Sequence, residues 1–314
     1  MKRTVSALAL VIALCACAPS TPAPEASAPV EPQALATYAA PTFLENLTVA
    51  ADGSILFTNY TNRSIERAPA DGGAAASFAA LDVHPISILP LADGYLVAGQ
   101  ATPFTQGAAA IGSGVLLFLD AQGAVSQRLP IPEVLFPNGM LSLSSDAVLI
   151  ADSVGGQIVR LDLATRAISP WFADPVLAPQ TTPNFLPGAN GLKLQDGALI
   201  ISSSATRTLY RLALGADGQP QGGLTPVVVN LPGADVFVVL PEGGFLVSTH
   251  GDRVVRVGAD GAVSDLTTDA RVRGNTALAL IGEGERRRAV ILGTGGFSEG
   301  LGQDAVVLSV PLGL

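Results

Sequence analysis

The fold is best predicted from residues 137–173, PNGMLSLSSDAVLIADSVGGQIVRLDLATRAISPWFA. Its apolar residues alternate with polar ones in four short runs, and turn residues separate these runs, as at Ser145-Asp146 and Gly155-Gly156. A period of two is typical of β-strands, because an amphipathic helix would repeat its apolar residues every 3.6 positions. The segment therefore predicts a unit of four consecutive strands.

Six copies of this unit follow Ala40. Their first strands begin about 40–55 residues apart, and a repeat of this length with four strands is typical of propeller blades. The alignment places six polar residues at one equivalent position: Glu45, His84, Asn138, Asn190, Asp235 and Asn275. We therefore expect an all-β, six-bladed β-propeller with four-stranded blades over residues 34–314. A β-sandwich with accidental regularity is the alternative.

The sixth copy contains only three strands before the sequence ends. The segment ALATYAA, residues 34–40, resembles the fourth strands of other copies. Pairing it with the last blade would leave no free sheet edge, which proteins generally avoid exposing. We predict that this N-terminal strand closes the ring.

The N-terminus has the features of a lipoprotein signal peptide, residues 1–17. Lys2 and Arg3 precede an apolar run, and LCAC resembles a bacterial lipobox whose last residue, Cys17, would be lipidated. An ordinary cleaved secretory signal is the alternative. Residues 18–33 are rich in Pro and Ala and predict a tether. We expect a bacterial cell-envelope protein, lipid-anchored on the outer-membrane or periplasmic side, or secreted.

Charge and cysteine content limit the partners. The formal net charge is −9 and there is no basic run, so nucleic acid is not an expected partner. We expect the membrane to be contacted only through the lipid, and the chain to be a monomer. Both cysteines lie in the leader, so we expect neither a disulfide nor a thiolate metal site in the mature domain.

The six aligned residues are expected to converge on the central channel, because the first strand of each propeller blade lines it. Carboxylates from Glu45 and Asp235, with amide oxygens from asparagines, form an all-oxygen ligand set. Such a set suits a hard cation, Ca²⁺ before Mg²⁺, while the presence of only two histidines disfavours zinc. The alternative is that the Asn-Gly pairs at 138–139 and 190–191 merely form turns.

These motifs resemble the calcium-dependent six-bladed propellers of the gluconolactonase, senescence marker protein and luciferin-regenerating enzyme family. Paraoxonase and diisopropyl fluorophosphatase are distant relatives. The matching features are Glu45 and the stretches PNGM…LIADS…G.I.RLD (137–162), ANGLKL.DGALIISS (189–203) and ADVFVV (234–239). The resemblance implies a catalytic calcium ion with ligands Glu45, Asn138, Asn190 and Asp235, and Asn275 as a further polar ligand.

The resemblance also implies a candidate base. His84, in HPIS, is similar to the histidine that begins the proposed proton-transfer dyad of paraoxonase, but the second histidine of that dyad is missing here. The arginine with which sugar lactonases hold their substrate has no counterpart that we can place. His84 could equally be a channel-wall residue. His250 follows the predicted second strand of blade five and is predicted to lie in a surface turn, with the rim of the channel as the alternative.

We therefore expect a calcium-dependent hydrolase of a small-molecule lactone or related ester. The metal would polarise the carbonyl, and His84, or Asp235 as in phosphotriesterase relatives, would activate water. The insertions GQATPFTQGAAAIGSG and ADPVLAPQTTPNFLPG are apolar and favour a hydrophobic substrate over a sugar acid. The alternative is a non-enzymatic lipoprotein propeller that binds a ligand or protein around a structural calcium. A condensation enzyme resembling strictosidine synthase is a third possibility.

Overall fold

The structure, a computed structural model, describes residues 31–312. The predicted signal peptide, Cys17 and all but the end of the tether lie outside these residues. Within them, no helix is long and apolar enough to cross a membrane.

The described chain forms six antiparallel sheets of four strands each, as predicted for a six-bladed β-propeller. Blade one contains β2 (Leu44–Val49), β3 (Ile55–Asn59), β4 (Ser64–Ala68) and β5 (Ala76–Ala80). Blade two contains β6 (His84–Leu91), β7 (Gly94–Gln100), β8 (Gly114–Asp120) and β9 (Val125–Pro130). Blade three contains β10 (Pro137–Ser144), β11 (Ala147–Asp152), β12 (Gln157–Asp162) and β13 (Ile168–Ala173).

The remaining three blades repeat this order. Blade four contains β14 (Ala189–Gln195), β15 (Ala198–Ser203), β16 (Thr208–Leu214) and β17 (Pro220–Val228). Blade five contains β18 (Phe237–Val239), β19 (Phe245–Ser248), β20 (Val254–Val257) and β21 (Val263–Thr267). Blade six contains β22 (Asn275–Ile281), β23 (Arg288–Gly293), β24 (Ala305–Pro311) and β1 (Gln33–Tyr38). Short 3-10 turns occur at Phe104–Ala110, Pro175–Leu177, Ala270–Val272, Gly284–Arg286 and Phe297–Glu299.

The N-terminal strand completes blade six, which confirms the predicted ring closure. β1 pairs antiparallel with β24, and Thr37 lies opposite Val306. The strand covers Gln33–Tyr38, about one residue earlier than the sequence indicated. This pairing joins the two ends of the described chain and covers the edge of β24 that would otherwise be free.

One apolar cluster lies at each of the six interfaces between neighbouring blades. β11 shows how the alternation produces this packing. Val148 and Ile150 pack towards blade two, whereas Leu149 and Ala151 pack towards blade four. A middle strand is therefore apolar on both faces, because successive side chains point to opposite sides of a sheet.

Breaks in strand pairing position the side chains at the start of the first strands. The register of β2 against β3 shifts between Leu44 and Leu47, so that Glu45 and Asn46 are left unpaired. The same two-residue irregularity leaves Asn138 and Asn190 unpaired in β10 and β14. A bulge of this kind redirects a side chain away from the regular alternation. Glu45, Asn138 and Asn190 therefore share one local geometry.

The closing strand offers a direct test of the architecture. Leu35 is 3% exposed in the core between blades six and one, so Leu35→Ala should lower the free energy of unfolding by about 2–5 kcal/mol. Thr37→Ala, at an exposed position of the same strand, should change it by less than about 0.5 kcal/mol. Chemical denaturation of both variants measures the difference. Equal, small effects would contradict the role given to β1.

Candidate functional site

A cavity of about 650 Å³ opens at the end of the channel where the first strands begin. The lining residues include four of the predicted ligands, which come from four different blades: Glu45, Asn138, Asn190 and Asp235. All four side chains are at least 92% buried. The fold therefore brings together residues that are up to 190 positions apart in the sequence.

Each of these four side chains has a buried oxygen without a hydrogen-bond donor. The atoms are Glu45 Oε2, Asn138 Oδ1, Asn190 Oδ1 and Asp235 Oδ1. They account for four of the seven such buried polar atoms in the described residues, so they are concentrated at this one place. Buried polar atoms are normally paired, and leaving one unpaired costs about 1–3 kcal/mol. Four unpaired acceptors facing one cavity fit a bound cation.

The electrostatics of the two carboxylates agree with this interpretation. Burial, and then the charge of Asp235, raises the pKa of Glu45 well above its ordinary value. Burial also raises the pKa of Asp235, although the hydrogen bond and charge of His250 offset part of the effect. Both groups therefore resist ionisation until a positive charge accompanies them. The set of two carboxylates and two amides suits Ca²⁺ in particular, because Ca²⁺ accepts oxygen ligands of both kinds.

His250 contacts the site directly. Its Nδ1 lies 3.1 Å from Asp235 Oδ2, and its Nε2 lies 3.4 Å from Ser298 Oγ. Since an ionised carboxylate can only accept a hydrogen bond, Nδ1 donates and Nε2 is the basic atom. Partial burial lowers the pKa of His250, but the hydrogen bond and charge of Asp235, together with the charge of Glu299, outweigh this and raise it. Sequence reasoning had placed this residue in a surface turn.

The register of the hairpins explains why His250 reaches the cavity. In an antiparallel hairpin the end of the second strand lies beside the start of the first, as Leu44 lies opposite Asn59. Residues that follow a second strand therefore reach the same channel mouth as Glu45. Tyr60, Ser153, Ser204 and His250 occupy such positions, and all four line the cavity.

Asn275 is placed differently from the other aligned asparagines. Its Oδ1 accepts a hydrogen bond from the backbone N–H of Thr249 at 2.7 Å. Its Nδ2 donates to the carbonyl oxygens of Gly251 and Arg253 at 3.0 and 3.1 Å. Asn275 thus holds the turn that carries His250, whose φ is +57°. Its predicted role as a metal ligand stays a prediction, and in this structure the amide oxygen is already hydrogen-bonded.

His84 does not line the cavity either. Its ring nitrogen Nδ1 lies 2.9 Å from the carbonyl oxygen of Tyr60, to which it donates. The imidazole also packs against the Tyr60 ring, with 4.9 Å between the ring centroids. The first strand of blade two contributes Ile86 to the cavity instead, because the bulge in β6 contains this one residue, between Pro85 and Ser87. The role of His84 as a base stays a prediction.

Aromatic side chains form one wall of the cavity, which we call the aromatic wall: Phe43, Tyr60, Phe104 and Phe136. The Phe43 and Phe104 rings meet edge to face at 5.2 Å, and the Tyr60 and Phe104 rings lie 4.6 Å apart. Phe104 belongs to the first apolar insertion noted in the sequence, and Phe185 brings the second insertion to the cavity. The polar oxygens are therefore bordered by an apolar surface.

Comparison with solved structures identifies proteins of the same architecture. Virginiamycin B lyase from Staphylococcus aureus is 12% identical, with 89% of this chain and 99% of that chain covered and a TM-score of 0.61. A luciferin-regenerating enzyme is 13% identical, with 91% and 96% covered and a TM-score of 0.65. Regucalcin from Agrobacterium tumefaciens, described as a calcium-binding protein, is 17% identical, with 89% and 96% covered and a TM-score of 0.61.

The chain has the fold of these proteins. At such low identity the similarity shows the fold alone, and it is consistent with the family resemblance seen in the sequence. No protein-family model matches the sequence, and comparison with curated proteins finds no match. The chemistry of this site must therefore be argued from its own residues.

Glu45→Gln tests whether the four oxygens hold a cation. With a chelator present, the variant should melt a few degrees above the wild type, because one of two mutually repelling buried carboxylates is removed. Ca²⁺ at about 100 times its dissociation constant should raise the melting temperature of the wild type by about 5 °C, and that of the variant much less.

Glu66→Gln is the matched control for this experiment. Glu66 is a buried carboxylate of the same blade, but it accepts a hydrogen bond from Ser64 Oγ at 2.5 Å and does not line the cavity. Its variant should keep the full stabilisation by Ca²⁺. A wild-type melting temperature that does not respond to Ca²⁺ would rule out the cation site.

Proposed function

We propose that this protein is a hydrolase of a lactone or related ester that depends on a bound divalent cation, with Ca²⁺ as the preferred ion. The observation that carries the proposal is the convergence of four unpaired buried oxygens beside a histidine–carboxylate pair in one accessible cavity. Cation-dependent hydrolysis of a carbonyl compound requires free oxygens that can hold the cation and a base that is already oriented.

Glu45, Asn138, Asn190 and Asp235 would hold the cation, which when bound supplies a Lewis acid for the substrate carbonyl. Four protein oxygens are fewer than the six to eight that Ca²⁺ takes, so positions would remain for water and substrate. We infer that these positions face the cavity, because the unpaired oxygens line it.

His250 is the base in this proposal. Asp235 accepts the hydrogen bond from Nδ1 and so holds the ring with Nε2 as the proton acceptor. Nε2 takes a proton from a water molecule as that water forms a bond to the carbonyl carbon. The bond from that carbon to the ester oxygen then breaks, and the proton passes to the leaving alkoxide. A lactone would open to a hydroxy acid by the same steps.

The aromatic wall favours a substrate with an apolar body. Phe43 is 6% exposed and Tyr60 is 3% exposed, so these side chains form a fixed surface rather than a mobile one. A polyol would leave its hydroxyl groups without partners against such a surface, which is costly. Hydrophobic lactones and aromatic esters are therefore the first substrates to test.

A non-enzymatic propeller with a structural cation is the competing function. It would need a ligand shell completed by the protein. In the described residues four side-chain oxygens are available at this site, and the cavity beside them is open enough to admit a small molecule. These features favour the enzyme, and hydrolysis assays decide between the two functions.

The two histidines of the chain allow a matched pair of variants. His250→Asn should lower kcat by about 10²–10⁴-fold, the usual contribution of a general base, because Nε2 is lost while the ligand oxygens remain. His84→Asn should lower kcat much less, since that side chain donates to a backbone carbonyl outside the cavity. Kinetics with phenyl acetate and a hydrophobic δ-lactone in excess Ca²⁺ measure both effects.

Calorimetric titration with Ca²⁺ shows whether a variant loses activity because it no longer binds the cation or because it lacks the base. His250→Asn should bind Ca²⁺ as the wild type does, whereas Asp235→Asn should lose both binding and hydrolysis. The opposite ranking of the two histidines would support His84 as the base. A wild type that binds Ca²⁺ but hydrolyses no ester or lactone of a broad panel would instead favour the non-enzymatic propeller.

We also propose that the protein is anchored in the bacterial cell envelope through a lipid on Cys17. The support is the sequence of residues 1–17, followed by a tether rich in Pro and Ala. Expressed in a bacterium that processes lipoproteins, the wild type should be found in the membrane fraction and incorporate labelled palmitate. Cys17→Ser should incorporate none, whereas Cys15→Ser should still be labelled. Equal labelling of the wild type and Cys17→Ser would contradict the anchor.

A further inference from the structure

A second cavity, of about 310 Å³, lies further along the channel. It is lined by residues that follow the site residues on the same first strands, such as Leu47 after Glu45 and Met140 after Asn138. The two cavities share no lining residue. Most of its lining residues have apolar side chains, with Val49, Leu89 and Val238 as examples, and polar atoms form about half of its exposed wall.

Lys193 of β14 is the one charged side chain that lines this second cavity. It is half-buried, and its ammonium has neither a hydrogen-bond acceptor nor a carboxylate partner in the described part of the chain. Asn46 and Thr48 are the neutral polar side chains in the lining. A partly buried ammonium without an acceptor beside apolar side chains would be stabilised by an anion.

Lysine is rare in this sequence compared with arginine. The sequence contains only one other lysine, Lys2. Among residues 31–312, every ion pair with an acidic residue except that of His250 is made by an arginine. Lysine differs from arginine in carrying a compact charge that it can lose when buried. Burial lowers the pKa of Lys193 to about 8, compared with an ordinary value of 10.5. At neutral pH the amine is therefore still mostly protonated.

We propose that this second cavity binds a small organic carboxylate, with its anionic group on the Lys193 ammonium and its apolar body against the channel wall. The ammonium supplies up to three hydrogen-bond donors for the carboxylate. An organic carboxylate would gain contacts with the apolar side chains of the lining, which a strongly hydrated inorganic anion could not make. The site does not depend on the function proposed for the first cavity.

The size of the cavity suggests a probe. An apolar cavity of about 150 Å³ admits benzene, so about 310 Å³ accommodates a benzene ring with a carboxylate. Benzoate is therefore the probe, benzyl alcohol is its neutral counterpart, and chloride is the inorganic anion. Titration calorimetry at pH 7 on the full chain should detect benzoate binding, with benzyl alcohol and chloride at least tenfold weaker.

Lys193→Met removes the charge while keeping a long apolar side chain. Its affinity for benzoate should fall about ten- to hundredfold, the loss expected for a hydrogen bond to a charged group. Its melting temperature without benzoate should rise by a few degrees, because a buried unpaired charge is gone. The variant should still bind Ca²⁺ at the first cavity, which shows that the propeller is intact.

Amine labelling of the wild type gives a measurement that needs no variant. An amine-reactive reagent should modify Lys193 with a midpoint near pH 8, because only the neutral amine reacts. No other titratable side chain lines the cavity in the described residues, so this midpoint reports Lys193 alone. Benzoate at pH 7.5 should protect Lys193 and benzyl alcohol should not, as peptide mapping would show. Absence of both benzoate binding and protection, or binding of chloride as tight as that of benzoate, would overturn the proposal.

Discussion

The burial of two carboxylates in one channel is the constraint on which the rest of the structure depends. Glu45 and Asp235 lie on different blades; burial raises the pKa of both, and the charge of Asp235 raises that of Glu45 further. Holding them together requires a frame that resists separation of the blades. The ring provides it through six apolar interfaces and through the pairing of β1 with β24. The site is therefore a property of the closed ring.

The architecture could be predicted from the sequence because it rests on local patterns. Alternation with a period of two, the turn residues and the repeat length each identify strands and blades independently of distant contacts. The closing strand could be predicted because the sixth copy contains three strands and a blade needs four. The same patterns aligned Glu45, Asn138 and Asn190 at one position, and in the structure their first strands share the same two-residue irregularity there.

In blades two and six, the sequence could not show which residue of the first strand lies in the bulge, because the position of this irregularity changes there. In β6 the break in pairing contains Ile86 alone, and His84 lies two residues ahead of it. In β22, Asn275 remains paired with Gly293, and the break follows it. A polar residue one or two positions from a bulge looks the same in sequence as one inside it, but its side chain points elsewhere. Hydrogen bonds to backbone groups then give Asn275 a different environment from Asn138.

The channel separates two kinds of charge by placing apolar residues between them. Glu45 and Asp235 lie where the first strands begin, and Lys193 lies three residues beyond Asn190 on β14. The pKa of Lys193 is lowered by burial, and neither carboxylate counteracts this effect. A close carboxylate would have raised it. The ammonium is therefore not paired with either carboxylate, and one channel can present unpaired acceptors to a cation and an unpaired donor to an anion.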